Sequence, residues 1–282
     1  MFYSKVLETT LIFSIFVLSV YPLSGLTGLF SLGQGAFIAI GAYTAAIGTL
    51  QYKLPPAISI MLAICIGIIG GVIVGVPTLK LRRDYFLLIT FGFSEMVRAL
   101  LLWMAQLTGG AMGIAGIPYA AGLPLIAISA IVIFFFIANI NKSAFRRNCI
   151  AIRDDELATQ AIGINVYWHK IKVFILSASI SAYGGALYAF NMMFIEPNLF
   201  DWLESAKLII IIFVGGMNSL LGVFLMSVIY YTFGEVFRFA SVWRDLILGV
   251  LVIVVLIFRP QGLFGTIKTV FPTIRFPFLQ KN

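Results

Sequence analysis

Apolar residues run along this chain in stretches of about 20, the length a helix needs to cross a bilayer, with polar residues confined to gaps between them. Uninterrupted stretches predict spans at Val6–Leu23, Ala57–Leu79, Tyr85–Leu107, Leu123–Ile140, Val173–Met193 and Leu246–Phe258. Two further runs, Leu29–Leu50 and Ala206–Phe237, are broken by small residues, Ser31-Leu32-Gly33-Gln34-Gly35 in one and Gly215-Gly216-Met217-Asn218-Ser219 in the other. Ala206–Phe237 is too long for one crossing and reads as a re-entrant descent, a turn at Gly215–Ser219 and a return. The pattern predicts an all-α, polytopic membrane protein of about eight transmembrane or re-entrant segments, one transmembrane domain over residues 1–282.

Composition agrees: 61% of residues are hydrophobic and 11% charged, against about 25% charged in soluble domains. The net charge of +8 does not form a nucleic-acid-binding stripe. Its basic residues gather between apolar runs, as lysine and arginine do on the cytoplasmic side. These places are Lys80 with Arg82 and Arg83, the segment 141–172, and a tail over 259–282. With 141–172 inside, Thr108–Gly122 and the acidic loop bearing Glu196, Asp201 and Glu204 fall outside, while the N-terminal side stays open because Lys5 and Glu8 cancel. The first apolar run carries no small-residue cleavage site and reads as a retained span.

Segment 141–172 is the one large charged island in the chain. Within it, Arg153 to Gly163 reads as a short helix. Asp154, Asp155 and Glu156 suit the positive end of its dipole, Leu157, Ala161 and Ile164 form a small apolar face, and Gly163, or Asn165 just beyond, can stop the helix. Such a helix is suited to dock in a groove of another protein.

This island helix resembles the coupling motif of ABC importer permeases. More specifically, the chain resembles the larger, M-type permease of branched-chain amino-acid ABC importers, the LIV system. The blocks that carry the resemblance are Leu32-Gly33-Gln34-Gly35-Ala36-Phe37 with Gly41-Ala42-Tyr43; Leu81-Arg82-Arg83-Asp84-Tyr85-Phe86 with Gly92-Phe93-Ser94-Glu95; Thr108-Gly109-Gly110 with Gly113-Ile114; the island helix through Val166; and Phe258-Arg259-Pro260-Gln261-Gly262-Leu263-Phe264-Gly265. In the outer loop, Ala111 and Met112 stand where relatives more often have Pro and Asn, which leaves urea and short amides open as substrates beside hydrophobic amino acids.

The resemblance implies a multi-pass permease of the bacterial cytoplasmic (inner) membrane, surrounded by lipid. Its implied partners are a second permease of the same superfamily, two cytosolic ABC ATPases and a periplasmic or surface-anchored binding protein. ATP and Mg are expected on the ATPases and no cofactor on this chain, which shows no Gly-Lys-Ser/Thr phosphate loop and no catalytic cluster, and so is no enzyme.

The expected contact with an ATPase is Arg153, Asp154, Asp155, Glu156, Leu157, Ala158, Ala161 and Gly163. Ser31, Gly33, Gln34, Gly35 and Asn218 in the broken runs are candidates to line the solute path. Thr108, Gly109, Gly110 and Gly113 form a flexible outer gate or binding-protein contact. Glu95 and Arg98, three apart on one span, are expected to pair. An ion-coupled secondary transporter is the rival class, and it would place several ionisable residues at the midplane. Of the polar residues left over, Cys65 and Cys149 have no metal-type spacing, and His169 sits at a membrane edge.

Overall fold

A computed structural model describes residues 2–81, 83–236, 249–250, 253, 255, 257–258 and 262–264. The chain forms α1 (Phe2–Tyr21), α2 (Gln34–Leu50), α3 (Pro56–Thr78), α4 (Arg83–Trp103), the single turn α5 (Ala105–Thr108), α6 (Leu123–Lys142), α7 (Ala144–Asp154), α8 (Glu156–Ala161), α9 (Val166–Met192), α10 (Trp202–Gly215) and α11 (Leu220–Val236). Two-residue strands β1 (Ile114–Ala115) and β2 (Phe194–Ile195) pair antiparallel. The predicted span Leu246–Phe258 and the basic tail lie for the most part outside the described residues, as does Arg82.

Five described helices are long and apolar enough to cross a membrane: Tyr3–Leu26, Pro56–Thr78, Asp84–Trp103, Leu123–Lys142 and Val166–Met192. Two are central, with 83% of the α1 window and 72% of the α9 window buried, against 22% for each of α3, α4 and α6. The peripheral helices turn large aliphatic and aromatic side chains outward, Ile128, Val132 and Phe135 on α6 among them, as a lipid-facing surface requires.

Hydrocarbon gives helices no hydrophobic reason to associate, so close backbone approach carries the packing. Along α3, a Cβ on Gly67 would come within 2.5 Å of the Ala182 Cβ, and one on Gly71 within 3.1 Å of the Ala178 Cβ. Gly185 lies directly against the Ile38 carbonyl. These glycines let α2 and α3 close onto α9.

Pro22 follows α1 without stopping it. Its ring cannot donate and crowds the preceding turn, and the chain responds by widening into a π-helical turn, Pro22–Leu26. Gly28, at φ +64, then ends the helix. Residues 29–33 run unwound until α2 begins.

The molecule has two distinct ends. At one, the Tyr167 hydroxyl donates to the Val76 carbonyl (2.7 Å), Lys80 lies 5.8 Å from the Tyr167 ring centroid, and Asn141 Nδ2 donates to the Tyr21 hydroxyl. At the other, β1 and β2 pair and Glu8 accepts from Asn191 (2.8 Å) and Tyr119 (3.1 Å) while Lys5 lies 2.9 Å away. The start of α1 therefore lies at the end opposite the charged island.

Three expectations need correction. The helix expected over Arg153–Gly163 is split, because Asp155 is extended (φ −153, ψ 112) and its carboxylate accepts from the Leu157 and Ala158 N–H groups. An Asp side chain that replaces the missing backbone partner starts a new helix, so Arg153 and Asp154 end α7 and α8 begins at Glu156. Next, α9 starts at Val166 rather than Val173, since Asn165 caps it and Lys170 is charge-paired within its first turns. Last, the acidic segment after α9 is not a free loop at the β1–β2 end. Gly35, in the first turn of α2, would meet the Phe200 and Asp201 carbonyls at 2.8 Å with a Cβ, and its N–H donates to Ser205 Oγ (2.8 Å). The far end of α2 reaches the turn that follows α4, where Gln51 donates to the Leu107 carbonyl. Pro197–Ser205 therefore packs inside the bundle, against the first turn of α2 rather than its far end.

Candidate functional site

At the island end, α8 is a fully capped single element. Asp155 closes its start, and Gly163, at φ +86, closes its end: the Gly163 N–H donates to Gln160 O (2.9 Å) and the Ile164 N–H to Thr159 O (3.3 Å). These two bonds form the Schellman arrangement, which places a left-handed residue just past the helix. Thr159 turns inward, while Leu157 is 78% and Ile162 73% exposed, and Ala158 and Ala161 are exposed between them. Leu157, Ala158, Ala161 and the capping Ile162 thus hold an apolar face that nothing among the described residues covers.

The element is attached to the bundle at two points. Glu156 Oε1 lies 2.7 Å from Lys170 Nζ, an ammonium only 6% exposed near the start of α9. Arg153 reaches further: its Nη1 donates to the Gly25 carbonyl in the π turn (2.9 Å) and to Asn218 Oδ1 (3.0 Å). Asp154, 68% exposed, flanks Arg153 at 3.5 Å. The residues expected to meet an ATPase are thereby brought together with Asn218, which lies not on a cleft wall but in the turn between α10 and α11.

The other path candidates separate. Ser31 and Gln34 are fully buried. Ser31 Oγ accepts from the Gly33 N–H, while Gln34 Oε1 accepts from Ser181, whose hydroxyl also bonds Ser19 (2.7 Å). These polar groups close the α1–α2–α9 junction. Gly35 alone among the five lines a small, open-mouthed cleft. Phe16, Ile38, Tyr188 and Phe200 form its walls and Glu204 its ionisable group. Glu204 Oε1 is 2.8 Å from Lys207 Nζ, one turn along α10.

Glu95 and Arg98 pair as expected, with Glu95 Oε2 accepting from Nε (3.0 Å) and Nη2 (2.7 Å), and Arg98 also donates to Asn198 on the infolded segment (3.3 Å). In the turn after α5, Gly109, Gly110 and Gly113 all take positive φ, and Gly113 abuts the Ile195 carbonyl of β2. The Thr108 hydroxyl accepts from the Gly110 N–H. This turn is packed onto the segment that leads to the cleft. Sequence reasoning missed Glu204 and the aromatic walls, because they come from four stretches that meet only through the fold.

A family model described as the permease component of the branched-chain amino acid transport system matches residues 2–256. The chain belongs to this family. It is 33% identical over 288 residues to the high-affinity branched-chain amino acid transport system permease protein LivM of Salmonella typhimurium, and 32% identical to LivM of Escherichia coli, each match covering 90% of this chain and 68% of the relative. A probable LivM of Methanocaldococcus jannaschii is 26% identical, over 77% of this chain and 70% of the relative. No solved structure matches. A branched-chain amino acid transport permease of this family is a multi-pass membrane protein, in keeping with the five long apolar helices.

Proposed function

We propose that this permease carries branched-chain or similar hydrophobic amino acids inward as one transmembrane subunit of an ATP-driven importer. The island end faces the cytoplasm, and about eight segments cross or re-enter the bilayer. Two separate ATPase subunits supply the energy, a second permease completes the membrane part, and an external binding protein delivers the solute. ATP binding closes the ATPases. α8 sits in a groove of one of them and passes that motion into the bundle, which alternates between outward and inward access.

The observation that carries this reading is α8 itself: capped at both ends, tied to α9 through Glu156–Lys170, and presenting Leu157 and Ile162 outward. A short rigid element with an uncovered apolar face has the form of a docking helix. The test is uptake in sealed cells. Leucine uptake is expected to stop when ATP is depleted and to persist when the proton gradient is collapsed at constant ATP. The opposite pattern would show ion coupling and refute the proposal.

A further inference from the structure

The turn between α10 and α11, residues 216–219, is held from two sides at the island end. On one side Arg153 donates to Asn218 Oδ1 (3.0 Å). On the other lies the tail segment 262–264, part of the block that carries the family resemblance. α10 ends at Gly215, so the Val214 carbonyl is among the last four, which a helix leaves without an internal partner. Val214 is 2% exposed, and a buried carbonyl left open is costly. The Leu263 N–H donates to it at 2.8 Å. Gly262 takes φ +85, and a Cβ there would come within 2.6 Å of the Gly216 nitrogen and 2.9 Å of the Phe213 carbonyl oxygen. The Phe264 Cβ in turn lies against Gly222, in the first turn of α11. The tail thus caps the end of α10 and touches both flanks of the turn.

We infer that residues 262–264 are a positioning element for the coupling step: they brace the α10–α11 turn from behind, so that Asn218 meets Arg153 and displacement of α7 and α8 moves the turn. This role deepens the proposed ATP-driven import and rests on it. Gly215 and Gly216 give the turn little stiffness of its own, and Asn218 is exposed. A load applied at Asn218 would bend an unsupported turn before it moved either helix. With Leu263 bonded to the last turn of α10, Gly262 against Gly216 and Phe264 against Gly222, the turn and both helix ends move as one body. The brace requires glycine at 262, because the positive φ and the approach to the Gly216 backbone both exclude a side chain.

The test compares variants of the complete importer in proteoliposomes, with leucine uptake and ATP hydrolysis measured together. Asn218→Ala removes the link to Arg153 and leaves the Arg153–Gly25 bond in place. Gly262→Ala drives a methyl group into the Gly216 backbone. Each is expected to lower the leucine carried per ATP hydrolysed about tenfold or more, the loss of one charge-assisted hydrogen bond. The double variant should be no worse than the worse single one, since both act on the same link. A purely structural role would lower the amount of permease in the membrane and leave that ratio alone. An unchanged ratio in Gly262→Ala, or losses that multiply in the double variant, would overturn the inference. Should Gly262→Ala fail to reach the membrane, Phe264→Gly replaces it, because it removes the contact with Gly222 without adding an atom. Amide exchange over residues 215–222 of the purified permease reads the brace without ATP. It should quicken in the tail variant, and unchanged exchange there would also overturn the inference. Faster exchange together with no ATP-driven uptake by the unmodified complex would leave the brace standing and sink the importer.

Discussion

Removing the Glu156 carboxylate should damage the α8 attachment far more than removing the Lys170 ammonium, although both changes break the same ion pair. Lys170 is 6% exposed at its side chain and Glu156 31%. Breaking a fully buried pair costs about 3–5 kcal/mol, and exposed pairs contribute about 0.2–1 kcal/mol. Glu156→Gln strands a cation that water scarcely reaches, which sets the cost near the upper case, about 3 kcal/mol. Lys170→Met leaves a carboxylate that water still reaches and fills the site of the ammonium with an apolar chain, so the cost is about 1 kcal/mol. At 1.36 kcal/mol per decade, local opening of α8 rises about 100-fold in the first variant and about fivefold in the second. Amide hydrogen exchange over residues 157–163, followed by mass spectrometry on the purified permease, reads both. The double variant should exchange like Lys170→Met alone. Exchange in Lys170→Met as fast as in Glu156→Gln, or a double variant no slower than Glu156→Gln, would refute the desolvation reasoning.

Two further outcomes follow from burial and close packing. Cys149 is buried in α7, and burial pushes its thiol up to about 12; it should resist maleimide at pH 8 in the folded protein and react on unfolding. A thiol whose folded value lies above its unfolded one loses stabilising effect as pH rises from about 9 toward 12, so labelling under native conditions should appear in that window, and ready reaction at pH 8 would contradict the burial. In α3, Gly67→Ala should destabilise by about 1–3 kcal/mol through overpacking against Ala182, whereas Gly92→Ala on α4, where a Cβ meets nothing within 4 Å, should be neutral or slightly stabilising; equal thermal stability of the two variants in detergent would count against glycine-mediated closure.

Much of this architecture was legible in the chain because hydropathy is a local signal. Five of the predicted spans coincide with long helices, and the break at Gly215–Ser219 falls between α10 and α11. Gly163 as a helix stop was equally visible, since positive φ leaves few residue choices. The split at Asp155 was harder to see: Asp154, Asp155 and Glu156 all suit a helix start, and which carboxylate turns back on the backbone is a matter of side-chain geometry. The charged start of α9 was hidden for a different reason. Lys170 reads as solvated until Glu156, fourteen positions earlier, is seen beside it. The infolded segment was wholly invisible, because its acidic residues look like an outer loop and its anchor, the Gly35–Ser205 bond, joins residues 170 positions apart.

Arg153 has a mechanical consequence. One guanidinium holds the π turn that follows α1 and the hinge between α10 and α11, while its own backbone ends the helix just before α8. A pull on α8 therefore reaches two discontinuities of the bundle through a single rivet. Either both shift in step or the rivet shears.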